Sequence, residues 1–187
     1  MSRMSAAAPR VQIAALTAET ELDRLRPLWL ALLAHERAHS AFAGWQQDDA
    51  ASWQARRATY AGWLATGDAL ILVAVHDAAV VGYAAAHLQS GPDDSFALGD
   101  RWAELYSLSV DPGLRGLGIG SRLLDEVDER LAQAGVRDLS VSVSVGNEAA
   151  LRLYERRGLQ PVETVLWRLG GAALTRDRPP TPPAAHE

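Results

Sequence analysis

The chain has 187 residues, of which 48% are hydrophobic, so it is long and apolar enough for one domain with a substantial core. It contains no cysteine, which excludes disulfides, thiolate catalysis and cysteine-based zinc sites. A formal net charge of −5 argues against a general nucleic-acid binder. The sequence has neither an apolar run of about eighteen residues nor the apolar centre of a secretory signal, so we expect a cytoplasmic protein.

The first half of the chain predicts a strand, two helices and a β-hairpin. Apolar residues recur at helical spacing after Thr20, and again after Asp48 or Asp49, and all three are good N-caps. A short apolar run precedes the first helix, and two β-rich runs meet at a turn that begins with His76. The predicted elements are a strand at 11–15, helices at 21–40 and 50–65, and hairpin strands at 69–75 and 80–88.

The second half of the chain alternates strands with helices. The predicted elements are a strand at 101–110, a glycine-rich turn at 111–120, a helix at 121–131, a strand at 137–145, a short helix at 148–157 and a last strand at 161–169. This order predicts an α/β fold with a mixed sheet flanked by helices. We expect a disordered N-terminus at 1–10, a single domain at 11–169 and a flexible proline-rich tail at 170–187.

The predicted first helix carries the zinc-protease pattern His-Glu-x-x-His at His35, Glu36 and His39. Two histidines one helical turn apart could hold zinc, with Glu36 as the base, and this would make the protein a zinc hydrolase. No clear third ligand follows, and so short a pattern arises by chance. An ordinary polar helix end is therefore the favoured interpretation.

Three glycines, Gly116, Gly118 and Gly120, stand where the helix at 121–131 is about to begin. The first N–H groups of a helix have no partner within it and carry a partial positive charge, so glycines there let an anion approach the amides. No Lys-Ser/Thr pair follows, which excludes a P-loop, and the spacing does not fit Gly-x-Gly-x-x-Gly. What remains is Arg-x-x-Gly-x-Gly starting at Arg115, or a turn that only closes a helix onto a strand.

A second motif follows the strand at 137–145. Asn147 is a good N-cap for a short helix that Gly158 ends. Tyr154 lies two helical turns after Asn147, so the two share one helix face about 10 Å apart.

These two motifs, in this order, make the chain similar to the GNAT superfamily of acyl-CoA-dependent N-acetyltransferases, over about residues 69–168. The resemblance implies a mixed, mostly antiparallel central sheet of about six to seven strands, flanked by helices on both faces. It also implies transfer of an acetyl group from acetyl-CoA (coenzyme A), without a metal, to a primary amine that is a small molecule or a peptide. The transfer is direct, no nucleic acid or membrane partner is implied, and a homodimer is considered by analogy only.

The resemblance also assigns roles to residues. The turn wraps the diphosphate of coenzyme A, Asn147 contacts the pantetheine arm, and the Tyr154 hydroxyl sits near the thioester sulfur. Strand amides from Leu108 to Val110 pair with pantetheine or stabilise an oxyanion. Glu104 is the candidate base, and a solvated glutamate at a strand end is the alternative interpretation. The implied cofactor-binding residues are Leu108, Val110, Arg115, Gly116, Leu117, Gly118, Ile119, Gly120, Ser121 and Asn147.

The acceptor amine is not readable from the sequence. In the family the first helices and the loop at 89–102 shape the acceptor pocket, so His35 or His39 is placed near substrate by that resemblance. Several tryptophans could form an aromatic wall there, although burial is their more frequent use. They are Trp29, Trp45, Trp53, Trp63 and Trp102. A non-catalytic acyl-CoA-binding or sensing module remains the alternative to an enzyme.

Overall fold

A computed structural model describes residues 10–39, 46–91 and 93–167 of the chain. Nearly all of the N-terminus predicted to be disordered, the predicted tail at 170–187 and the end of the predicted last strand lie outside the described residues. No described helix combines the length and the hydrophobicity that a membrane span requires. The cytoplasmic location and the domain limits stay predictions.

The described strands form one sheet in the order β1-β2-β3-β4-β5. The strands are β1 (Gln12–Ala15), β2 (Ala69–His76), β3 (Ala79–Ser90), β4 (Arg101–Val110) and β5 (Asp138–Val141). The first four pair antiparallel with their neighbours, and β5 runs parallel to β4. The β2–β3 hairpin turns at Asp77 and Ala78, whose positive φ angles of 47° and 64° match the twist of the flanking strands.

Helices cover both faces of this sheet. They are α1 (Arg26–His39), α2 (Asp49–Thr66), α3 (Ile119–Gln133) and α4 (Glu148–Glu155). On one face, α1 and α2 pack through Trp29 and Tyr60 onto a core that includes Tyr83 of β3. On the other face, Leu123 of α3 and Tyr154 of α4 belong to a second core. The predicted mixed, mostly antiparallel sheet with helices on both faces is confirmed.

The sheet has fewer strands than the six to seven expected, since five are found among the described residues. β5 ends at Val141 instead of 145, and residues 161–167 form no strand. Within that segment Val162 and Leu166 are 73% and 89% exposed. Alternating apolar residues favour a strand, but a strand also needs a neighbour to pair with, and these segments have none in the described part of the chain.

The first helix is shorter than predicted, while the second begins as predicted. A 3-10 helix at Glu19–Leu25 precedes α1, and Thr20 is not its N-cap. Pro27 explains this start, because proline cannot donate an i→i−4 bond and is tolerated only in the first turn of an α-helix. Asp48 caps α2, since its Oδ1 accepts hydrogen bonds from the N–H groups of Ala50 and Ala51 at 2.9 and 3.0 Å.

β4 contains a bulge that shapes the centre of the molecule. Ser107 lies opposite Ala85 and Leu105 lies opposite Ala86, so Tyr106 is an extra residue. Tyr106 contacts Trp63 of α2 (ring centroids 4.9 Å apart), and the Ser107 hydroxyl accepts a hydrogen bond from another α2 side chain. Two consecutive side chains therefore point to the same face of the sheet. The parallel pairing with β5 ends one residue earlier, at Leu105.

Candidate functional site

The start of α3 leaves its first amides without partners. The first backbone bond into the helix runs from Arg122 N to Gly118 O at 3.0 Å. Gly118 is the N-cap residue, and it has no side chain that could cap the amides between it and Arg122. The first turn also contains no acidic residue. Helices α2 and α4 differ, since Asp48 and Asn147 cap them. The N-terminus of α3 therefore presents a partial positive charge and free donors to an anion.

The glycines hold this turn open. Gly116 and Gly118 have φ angles of 78° and 80°, which L-residues rarely adopt, and a Cβ on either would meet nothing within 4 Å. A Cβ on Gly82 of β3 would lie 3.3 Å from Leu123 and 3.4 Å from Ile119. Gly82 thus lets the first turn of α3 pack directly on the sheet. We call residues 115–121 the glycine cradle.

The end of β4 adds two main-chain donors beside the cradle. Asp111 N donates to Val81 O of β3 at 2.9 Å. Because peptide groups alternate along a strand, the N–H groups of Leu108 and Val110 point away from β3, toward the side where pairing with β5 has ended. Val110 O points the same way and accepts a hydrogen bond from Arg115 Nε at 3.3 Å. The strand edge and the cradle therefore lie together, as the family resemblance implied.

The second motif places two predicted residues on α4. Asn147 is the N-cap, as predicted, and its Oδ1 accepts from Ala150 N at 3.2 Å, which leaves its NH₂ group for another acceptor. Tyr154 is only 8% exposed. Burial raises the pKa of its hydroxyl to about 12, so the group stays protonated at neutral pH.

Arg157 joins the two motifs, and the sequence analysis missed it. Its guanidinium donates to Asp128 Oδ2 at 2.7 Å, to Ser121 O at 2.8 Å and to the Asp125 carboxylate. These contacts tie the chain just after α4 to the first turns of α3, across an open groove of about 440 Å³. The only signal in the sequence was the pair of acids Asp125 and Asp128 on α3, and no sequence pattern indicated that Arg157 would bind them.

Glu104, the predicted base, lies on the opposite face of the sheet from Tyr154. It stands opposite His87 of β3, whose ring stacks on Trp63 of α2 at 4.4 Å between centroids. It is half-buried and accepts a hydrogen bond from Gln89 Nε2 at 3.4 Å. The structure therefore separates the two predicted catalytic side chains by the thickness of the sheet, and the open edge of β4 lies between the two faces.

A second cleft, of about 300 Å³, opens between α1 and α2 on the Glu104 face. Its lining residues are Trp29, Leu33, Glu36, Gln46, Gln47, Ser52, Ala55, Arg56, Thr59 and Tyr106. From the sequence, Glu36 was predicted only as the base of a zinc site, and Arg56 and Tyr106 were not predicted at all. Trp29 borders the cleft, as the aromatic-wall hypothesis expected. Trp53 does not line the cleft, although it and Trp29 are buried in the same core, and Trp45 lies outside the described residues.

The described side chains do not assemble a metal site. Across residues 10–38, 46–91 and 93–167, no group of three His, Cys, Asp or Glu side chains is placed to hold an ion. The side chain of His39 is outside the described set, and His35 makes contacts of its own.

Comparisons with known proteins agree with this architecture. The model of the Acetyltransferase (GNAT) family matches residues 30–159. A mycothiol acetyltransferase of Kocuria rhizophila is 36% identical over 81 residues, which are 43% of this chain and 25% of that protein. The chain thus spans about a quarter of the length of the first curated relatives that it matches.

Two solved structures share the fold. A GCN5-related N-acetyltransferase from Ralstonia eutropha superposes with a TM-score of 0.69 at 21% identity, covering 87% of this chain and 100% of that one. A predicted acetyltransferase from Clostridium acetobutylicum, solved with acetyl-CoA, has a TM-score of 0.66 at 15% identity and covers 86% and 96%. These similarities concern the fold alone, whereas the family match extends over most of the sequence. The chain belongs to the GNAT family of acetyltransferases.

Proposed function

We propose that the protein is an N-acetyltransferase that moves an acetyl group from acetyl-CoA directly to a primary amine. The observation that carries this proposal is the set of unpaired amides in the glycine cradle, which lies beside the free N–H groups of Leu108 and Val110. A diphosphate fits the cradle, because oriented amides at a helix N-terminus bind phosphate groups. The amides of residues 115–121 and the Asn147 side chain are the proposed contacts to coenzyme A.

The reaction needs a neutral amine, so a proton acceptor must act first. An alkylamine of pKa about 10.4 is neutral in only about one part in 10³ at pH 7. We assign this role to Glu104, directly or through a water molecule. The nitrogen then forms a bond to the acetyl carbon and the carbon–sulfur bond breaks. Of the two protons that the ammonium loses, one ends on the coenzyme A thiol and one in solvent.

Two further roles follow from the free donors. We assign to the N–H of Leu108 the stabilisation of negative charge on the acetyl oxygen, and to that of Val110 the pairing with pantetheine. The Tyr154 hydroxyl is assigned to the leaving sulfur. With its pKa at about 12 and a thiol pKa of about 8.5, full proton transfer is uphill, so Tyr154 acts as a hydrogen-bond donor to the sulfur.

Calorimetry with acetyl-CoA, followed by thiol release over a panel of amines, tests this proposal. Micromolar binding with amine-dependent thiol release is the expected result. Binding without transfer to any amine would favour the non-catalytic acyl-CoA module. No binding, together with stoichiometric zinc in the purified protein, would favour the zinc hydrolase. A cytoplasmic location and a homodimer stay predictions, which fractionation and light scattering can check.

A further inference from the structure

The cleft between α1 and α2 holds one charge of each sign among aromatic, aliphatic and neutral polar side chains. Its walls include Trp29, Leu33 and Tyr106, while Glu36 comes from α1 and Arg56 from α2. Tyr106 is the bulge residue of β4, so this cleft reaches the strand that carries Glu104 and the free amides. A ligand here would lie beside the strand that carries the proposed reaction site.

Arg56 is held rigidly but keeps unused donor capacity. Its guanidinium carbon lies 4.0 Å from the ring centroid of Trp29 and 4.4 Å from that of Tyr106. Stacking between two rings occupies the faces of the guanidinium and leaves its N–H groups pointing outward in the plane. One of them, on Nη1, is buried and has no hydrogen-bond acceptor. A buried donor without an acceptor costs free energy, and a ligand oxygen would remove that cost.

Two acceptors complement this donor. Glu36 is partly buried, and desolvation raises the pKa of its carboxyl while the Arg56 charge partly opposes the shift. The Oε1 atom of Gln46 is buried and accepts no hydrogen bond. Both residues line the cleft. The lining of the cleft therefore includes an anionic acceptor and a buried neutral one that has no partner.

The charges select a class of ligand. A plain cationic amine would be attracted by Glu36 but repelled by Arg56. An anion would be attracted by Arg56 but repelled by Glu36. We propose that this cleft binds a small zwitterionic amine, a free amino acid with an apolar side chain, with its carboxylate on Arg56 and its ammonium group on Glu36 and Gln46. This inference rests on the proposed acetyltransferase function and names the acceptor for it. The product is the N-acetyl amino acid, with the proton balance given above.

The size and lining of the cleft agree with such a ligand. About 300 Å³ is the lower end of the range for small-molecule sites. That volume accommodates one amino acid. The aromatic rings of Trp29 and Tyr106 would line the path of an apolar side chain.

Matched acceptors test the inference without any variant. Leucine, methionine and phenylalanine are compared with their amides and with the amines that lack the carboxyl group, at saturating acetyl-CoA, by thiol release and mass of the product. We expect kcat/KM to be higher for each free amino acid by about tenfold or more, since a charge-assisted pair with arginine is lost in the analogues. Equal or better use of the decarboxylated amines would overturn the inference.

Two variants locate the effect. Arg56→Met keeps an apolar chain between the rings and should abolish the preference for the carboxylate, so that the amino acid and its decarboxylated amine react at similar kcat/KM. Glu36→Gln should raise KM for every amine while the affinity for acetyl-CoA stays unchanged. Arg24→Met, at an exposed ion pair with Glu21, is the matched control and should behave as wild type.

The outcomes separate the two proposals. Lack of acetyl-CoA binding by the wild-type protein would end both. Acetyl-CoA binding with transfer only to amines without a carboxylate, or no transfer to any amino acid, would end this inference and leave cofactor binding intact. Retention of the full carboxylate preference in a folded Arg56→Met protein would also contradict it. Should that variant not fold, the acceptor series on wild type and Glu36→Gln decides.

Discussion

On the α3 face of the sheet the proposed site binds its ligand mainly through main-chain amides, whereas on the α1–α2 face it is made of side chains. The cradle offers backbone amides fixed by a helix start and two left-handed glycines. The cleft offers Glu36 and Arg56, which come from different helices and are held by aromatic packing. Main-chain donors suit a ligand that stays the same throughout a family, while side chains can change with each acceptor without disturbing the cofactor.

The largest expected effect concerns the cradle alone. Gly120→Val should weaken acetyl-CoA binding at least about a hundredfold, roughly 2.7 kcal/mol, because a branched side chain would cover the amides. The fold should survive, since Gly120 does not have a positive φ and a Cβ there lies 3.7 Å from Val110 Cγ2, an ordinary contact. Calorimetry and thermal unfolding measure the two quantities. Gly62→Ala in α2, where a Cβ meets nothing within 4 Å, is the control and should bind acetyl-CoA normally.

The second variant should lose catalytic rate but keep its affinity for acetyl-CoA. Tyr154→Phe should lower kcat by about ten- to a hundredfold and change acetyl-CoA affinity less than twofold or so, since only a hydroxyl is removed. Because the pKa of Tyr154 is about 12, wild-type kcat should show no loss from ionisation of this group below about pH 10. An unchanged turnover number in a folded variant would remove Tyr154 from the mechanism.

Replacing Arg157, which joins the two motifs, should lower both the stability and the affinity for acetyl-CoA. Arg157→Gln should lower the free energy of unfolding by about 1–3 kcal/mol, because two carboxylates and a carbonyl lose a largely buried partner. Acetyl-CoA affinity should fall as well, since α4 is no longer held against α3. Denaturant unfolding and calorimetry check both. Arg130→Gln, at an exposed pair with Glu126 on α3, should cost less than about 0.5 kcal/mol.

The smallest expected effect concerns Glu36 in the cleft, and it is a gain in stability instead of a loss. Glu36 has a pKa raised by desolvation, so the folded state binds its proton more tightly than the unfolded state does, and its ionisation opposes folding as the pH rises through that pKa. Glu36→Gln should therefore raise the melting temperature slightly at pH 8. The gain should shrink toward pH 4 and vanish below it, as the carboxyl becomes protonated in both states. A lower melting temperature at pH 8 would contradict this account.

The comparison also shows what the sequence could predict. The cradle, Asn147 and the strand at 101–110 were predicted because each depends on local rules, namely glycine at a helix start, an N-cap and alternation. Arg56 and Arg157 were not, because their roles come from contacts with Trp29, Tyr106, Asp125 and Asp128, which lie 20 or more positions away in the sequence. The local pattern also predicted too long a β5 and a strand at 161–167 that is not found. In both places the availability of a pairing partner, and not propensity, decided the outcome.

The single extra residue in β4 determines which face of the sheet the side chains at each end of that strand point to. Before Tyr106, even-numbered side chains face α2; after it, odd-numbered ones do, as the bonds of Ser107 to Tyr60 and of Ser109 to Leu28 O show. If the same residues formed a regular strand without the bulge, strict alternation with Ser107 still facing α2 would turn Glu104 toward the α3 core, where an ionised carboxylate has no place. The bulge therefore keeps the proposed proton acceptor on the α1–α2 face, while the N–H groups proposed to bind the acyl group and pantetheine stay at the edge of the same strand.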